Sequence, residues 1–188
     1  MIKMVDRTQI DLMAIVRTFI SGATGLTLAQ VILGNQSAPA PNGPYATVVT
    51  TNVQADGVDW INYVEDDPGE ADSLLDATTV GNREASFSVQ FFREDVFEHA
   101  REVLQYPHTP NGHFFLLQNK MAWRSESPII NSDQVNPSNV WDNRAGITLN
   151  LGFKEITIQQ INSLTSQEYT VDYSGESDLQ ETINVTTN

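Results

Sequence analysis

The chain contains no cysteine. Disulfides, thiolate metal sites and cysteine nucleophiles are therefore excluded. Basic residues are scarce: 10 Lys and Arg stand against 24 Asp and Glu, a formal net charge of −14. A protein that grips nucleic-acid phosphates needs clustered Lys and Arg to displace counterions. Here the bases are scattered singly along the sequence, so DNA gripping is not expected. Long apolar runs are also missing; none approaches the roughly 20 residues of a membrane span. The N-terminus does not read as a signal peptide, because Asp6, Arg7, Asp11 and Arg17 interrupt its apolar residues.

What is present is enough for a packed core. At 188 residues a domain buries roughly 70% of the surface its unfolded chain exposes. The acidity fits either plain solubility or a surface that DNA passes without sticking.

Arg7 to Gly22 has helical spacing, with Leu12, Ile15, Val16, Phe19 and Ile20 on one stripe. Asp6 is placed to cap its start, Gln9 completes a capping box, and Gly22 and Gly25 supply the stop. Its polar face is not basic, so anionic lipid would repel it and a core-facing role is expected. A short apolar run, Leu28 to Leu33, has no clear type. Pro39, Pro41 and Pro44 then make a stiff, extended connector that delivers Tyr45 into a strand.

Tyr45 to Val53 reads as that strand, Asp56-Gly57 as a hairpin turn, and Val58 to Val64 as the return strand. Glu65 to Asn82 reads as a long acidic loop carrying Asp66, Asp67, Glu70 and Asp72; loops of such length are usually functional or mobile. Ala85 to Phe92 alternates strictly, with Ala85, Phe87, Val89 and Phe91 on one face and Ser86, Ser88 and Gln90 on the other. One packed and one wet face imply an antiparallel sheet covered on one side. Glu94 to Tyr106 is a second helix, with Phe97, Ala100, Val103 and Leu104 inward and Pro107 at its end. Phe114 to Gln118 and Met121 to Trp123 are short apolar pieces about a turn. Ile129-Ile130 continues the second piece, and Asn131 to Asn143 is loop-like. Arg144 to Ile161 alternates again, and Tyr169, Val171 and Tyr173 allow a last strand. The resulting expectation is α+β: an antiparallel β-sheet with two helices packed on one face. Residues 1–173 form a single domain on this reading, and 174–188 a flexible acidic tail.

Few residues of the chain point to catalysis. His108 and His113 lie five apart with no carboxylate at a ligand spacing, so no metal site is assigned. There is no nucleophile elbow and no phosphate-cradling glycine loop. Asp66-Asp67 is a carboxylate pair by type, but adjacent acids in an acidic loop read as a solvated face. No catalytic residue, cofactor or metal is therefore assigned, and the chain is not expected to be an enzyme. Trp60 and Trp123 are expected in the core, whereas Trp141, flanked by loop residues, suits an interface anchor. Arg144 opens a strand beside Asp142 and is expected to pair with that acid or with a neighbour's.

Two ordered segments resemble a known family. Asn35-Gln36-x-Ala38-Pro39-x-Pro41-x-x-Pro44-Tyr45 before a strand, and Asn82-Arg83-Glu84-Ala85-x-Phe87-x-Val89-Gln90-Phe91 before a helix, resemble the phage neck and tail-terminator proteins. Trp141-x-x-Arg144-Ala145 leading into an alternating strand also fits. The resemblance covers roughly residues 7 to 160. It implies a tail-terminator-like fold and a structural virion protein, assembled in the host cytoplasm, that forms a homohexameric ring. Such a ring would end the tail tube and join it to the neck or head connector, with the sheath as a further neighbour and DNA passing through unbound. Asp66, Asp67, Glu70, Asp72, Trp141 and Arg144 are the interface candidates. The alternative is another connector part, such as a head-completion or stopper protein, on a related fold.

Overall fold

The computed structural model describes residues 9–36, 39–65, 74–135, 141–162, 167–170 and 182–185. Helix α1 spans Gln9–Thr24, and strand β1, Val31–Leu33, follows it. Strands β2 (Tyr45–Ala55), β3 (Trp60–Glu65) and β4 (Leu74–Phe92) come next. Helices α2 (Val96–Gln105) and α3 (Pro110–Gln118) flank a single 3-10 turn at Tyr106–His108. The rest is strand: β5 (Met121–Glu126), β6 (Ile130–Asn131), β7 (Gln134–Val135), β8 (Trp141–Asp142), β9 (Arg144–Asn162), β10 (Gln167–Thr170) and β11 (Thr182–Val185).

The main sheet runs β1-β2-β4-β9-β5, with β3 added on β4 and β6 on β9. It is mostly antiparallel, although β1 runs parallel to β2. This is the expected α+β class, with one more helix than the periodicity suggests. Two small pairs stand apart, β7 with β8 and β10 with β11. The segment read as a tail thus contains a strand, Thr182–Val185. By its contacts the chain forms two compact units. One holds residues 6–60 and 80–156, and the other holds 1–5, 61–79 and 157–188.

The larger unit owns the core. Odd-numbered residues of β4 (Ala85, Phe87, Val89, Phe91) and β9 (Ala145, Ile147, Leu149, Leu151) are all buried, as strict alternation requires. Against this face pack Leu12, Val16, Phe19 and Ile20 of α1, Val96, Ala100 and Val103 of α2, and Leu116 of α3. Each of these side chains except the small Ala100 contributes roughly 1.5–3 kcal/mol by leaving water. Phe19 sits at the centre, in ring contact with Tyr106, Phe115 and Trp123. Arg17 ties α1 to the sheet edge, its Nε donating to the Val31 carbonyl and its Nη2 to the Leu28 carbonyl, both at 2.6 Å.

Several local expectations are corrected. Helix α1 runs through Gly22 and stops only at Gly25, whose φ of +72° suits a glycine cap and whose N–H donates to the Ser21 carbonyl. Asp6 and its capping role lie outside the described residues. Asp56-Gly57 does turn the chain, with Gly57 at φ +96°, but it does not join a hairpin pair. Strand β2 pairs with β4 as far as Ala55↔Arg83, and β3 pairs with β4 as well. The stretch read as an acidic loop from Glu65 to Asn82 is mostly strand, because β3 runs to Glu65 and β4 starts at Leu74. In α2 the inward residue of the first turn is Val96 and not Phe97, which is exposed. The left-handed start at Asp95, φ 52°, sets that helical phase. Phe114 to Gln118 belongs to α3, capped by Thr109, whose Oγ1 accepts from the Gly112 N–H, with Pro110 in the first turn.

Candidate functional site

Charged side chains collect at the two ends of β2 within the larger unit, and exposed apolar surface collects at the second of them. The strand has eleven residues, so ten rises of about 3.3 Å set those ends about 33 Å apart.

At the first end the proline connector meets the sheet. Tyr45 opens β2 opposite Phe92, the last residue of β4. Their rings stack with centroids 4.6 Å apart and planes within 5°. The Arg93 guanidinium lies 5.3 Å from the Tyr45 ring centre and that of Arg144 lies 5.1 Å from the Phe92 ring centre. Two aromatic rings are thus flanked by two cations, an arrangement their electron-rich faces favour. Both arginines are further committed. Arg93 donates from Nη1 to the carbonyls of Pro41 and Gly43, fixing the connector. Arg144 donates to Asp142 from Nε and Nη2 and to Gln134 from Nη1. Burial pushes the Tyr45 phenol above its ordinary pKa, partly countered by Arg93.

At the second end β2 leaves the core and turns at Asp56-Gly57. The turn is tied to three strands by arginines. Arg83 of β4 donates to both carboxylate oxygens of Asp59, at 2.6 and 2.7 Å, and from Nε to Glu155 of β9 at 2.6 Å. Arg124 of β5 donates to Asp56 at 2.6 Å. Arg83 and Glu155 have the parity of Ala85 and Phe153. They therefore continue the core face beyond its last apolar row, and Glu155 shares a groove with Leu12 of α1. The hydrogen bonds from Arg83 hold the Asp59 carboxyl below the usual carboxylate range, and the same bonds raise the pKa of Arg83. Gly81 makes room for the cluster, since a Cβ there would strike both Arg83 and Asp59.

This clamped turn presents apolar side chains to water. Val58 is 97% exposed and Trp60 is 68% exposed. Trp60 is therefore not a core residue, contrary to expectation. Trp123 does pack at the core edge, with its indole N–H donating to Glu126 at 2.8 Å. Farther along β3, in the smaller unit, Ile61 and Tyr63 are exposed too.

Of the interface candidates, Arg144 belongs to the aromatic end. Trp141 pairs with Val135 across the small β7–β8 ladder. Asp66, Asp67, Glu70 and Asp72 lie outside the described residues. Sequence reasoning missed Asp59, Arg83, Arg124 and Glu155, whose partners are 24 to 72 positions away in pairs that no local pattern exposes. His108 and His113 line one groove beside Trp123, and no group of three metal-ligating side chains occurs among the described residues. No polar or charged residue is buried among them.

A family model described as phage neck terminator protein matches residues 11–178, all but the first ten and last ten positions. No curated protein matches the chain.

Proposed function

Because the chain belongs to the phage neck terminator protein family, a structural part of the virion, we propose that it works as one copy of a homohexameric ring. That ring ends the tail tube and joins it to the neck or head connector. The observation that carries this reading is the apolar surface at the clamped turn. A solitary subunit gains nothing by holding Val58 and Trp60 in water on a turn braced by two arginines. Exposed apolar patches of this kind mark protein contacts, and tryptophan is a favoured anchor.

The two ends of β2 suit a part that must touch different neighbours. The clamped turn supplies the contact between copies, and the aromatic end with its stiff connector supplies a docking face for the tube or connector. Asp66, Asp67, Glu70 and Asp72 join the contact between copies or the contact with the tube. Trp141 joins the docking face. Such a ring acts through shape and needs no catalytic group. Each subunit brings a charge of −14, so the wall of the channel repels DNA and lets it slide. Assembly takes place in the host cytoplasm, and the sheath is a further neighbour in contractile tails.

The purified chain should form rings with sixfold symmetry by electron microscopy and should cap isolated tail tubes at one end. A protein that stays monomeric at every concentration and ignores tubes refutes the reading. Rings that bind portal assemblies and leave tube ends bare assign the chain to a stopper or head-completion role instead.

A further inference from the structure

The charge of this chain is segregated. No Lys or Arg occurs between Arg17 and Arg83, and none follows Lys154. The smaller unit carries eleven acids against one base, Lys3. In the larger unit, most arginines are satisfied by groups already described: Arg83 and Arg124 at the clamped turn, Arg93 and Arg144 at the aromatic end. Arg101 pairs with Glu98 along α2.

Lys120 and Lys154 are different. Both are exposed and neither forms an ion pair with any described residue. Lys120 follows α3 and Lys154 lies on β9, yet the two line one groove with Arg124, over Met121 and Phe153. Gly152 shapes it: a Cβ there would come within 2.7 Å of the Arg124 Nε, so glycine lets that guanidinium lie across β9. Bases scattered singly in the sequence thus converge at one place on an acidic protein. That place adjoins the clamped turn, because Arg124 also holds Asp56.

We infer that this groove receives the acidic segment 65–76 of a neighbouring copy. The inference rests on the ring reading above and assigns its contact. The segment offers Glu65, Asp66, Asp67, Glu70, Asp72 and Asp76 with no base among them, so it complements the two ammonium groups that form no ion pair with a described residue. Complementary charge of this kind sets register and speeds encounter. The contact is heterologous, groove to segment, and a succession of such contacts closes a ring with every groove filled. Nucleic acid is a poorer occupant, since two free lysines do not offset a subunit charge of −14.

The test uses two full-length variants, K120E/K154E for the groove and E70K/D72K for the segment. Circular dichroism and melting curves check that each is folded. At near-physiological salt each variant alone should assemble at a concentration at least tenfold higher than the unsubstituted chain. An equimolar mixture should regain rings, because alternating copies then present one natural and one reversed contact. Differently tagged subunits would be found together in one ring. Variants that form rings as readily as the unsubstituted chain overturn the inference and leave the ring reading standing. Variants that fail alone and stay dispersed when mixed, while the fourfold variant recovers, place the contact within one chain and also overturn it. An unsubstituted chain that never oligomerises removes the ring reading, and this inference with it.

Discussion

Tyr45 and Phe92 face each other across β2 and β4 as a register pair, and their rings stack 4.6 Å apart. The pair marks the point where the proline connector becomes sheet. Burial raises the Tyr45 pKa, Arg93 and Arg144 lower it, and Asp142 raises it. Arg93→Met should therefore move the phenol further up, and Asp142→Asn should move it down. Ultraviolet titration, with Tyr45→Phe as the blank, reads both shifts. A group whose pKa is raised in the fold contributes stability below its unfolded value, about 10 for tyrosine. That contribution is lost as pH rises through the folded value.

Acid should act on the other end. The Asp59 carboxyl is held below its ordinary range by Arg83. Its contribution is therefore complete above the unfolded value of about 3.9 and is lost as pH falls through the folded value. Assembly of the natural chain should weaken below about pH 4, whereas Asp59→Asn should already be impaired at pH 7 and show less change on acidification. Gly81→Ala provides a second route to the same state. The added methyl meets flexible side-chain ends, so it should displace Arg83 from Asp59 while the melting curve changes little. Light scattering against pH for the three proteins is the measurement. Equal pH profiles for the natural chain and Asp59→Asn would detach the ion pair from assembly.

The core should respond in a different currency. Phe19 is 1% exposed and touches Tyr106, Phe115 and Trp123. Removing its ring leaves a cavity between helix and sheet that stiff neighbours fill poorly. Phe19→Ala should lower unfolding stability by about 3–5 kcal/mol, read as a drop in urea midpoint with unchanged slope. A loss under about 1 kcal/mol would mean that the neighbours collapse into the space.

These contrasts explain what was legible beforehand. Burial imposes a period on the chain, so Leu12 to Ile20 and the alternating residues of β4 and β9 announced their faces. Phase at helix starts was less visible: the left-handed Asp95 put Val96 inward where the pattern pointed to Phe97. Helix α3 was hidden because Phe114-Phe115-Leu116-Leu117 is apolar without a break. The Thr109-Pro110 cap was the available signal. Pairing was not legible at Asp56-Gly57, since a turn signal reports only its own backbone. That β2 and β3 both pair with β4 depends on residues far along the chain. The arginine clamp was invisible for the same reason, although the stretch around Arg83 carried the family resemblance, as did the stretch around Tyr45 at the other end of β2.

The apolar turn gives the sharpest separation of folding from assembly. Val58 and Trp60 are exposed, so replacing them with serine removes little buried surface within the subunit. Exposed substitutions of this sort usually change stability by less than about 0.5 kcal/mol. Val58→Ser/Trp60→Ser should therefore melt within a few degrees of the natural chain. If the turn is an anchor between copies, the same variant should lose rings, because removal of a buried tryptophan from an interface centre commonly costs about 2 kcal/mol or more. In a closed ring that loss recurs at every contact, so the concentration needed for assembly should rise steeply. Sedimentation across a dilution series reads it directly. A variant that melts normally and still forms rings at the natural concentration would show that the turn faces solvent in the assembly, and the contact between copies would have to lie elsewhere on the subunit.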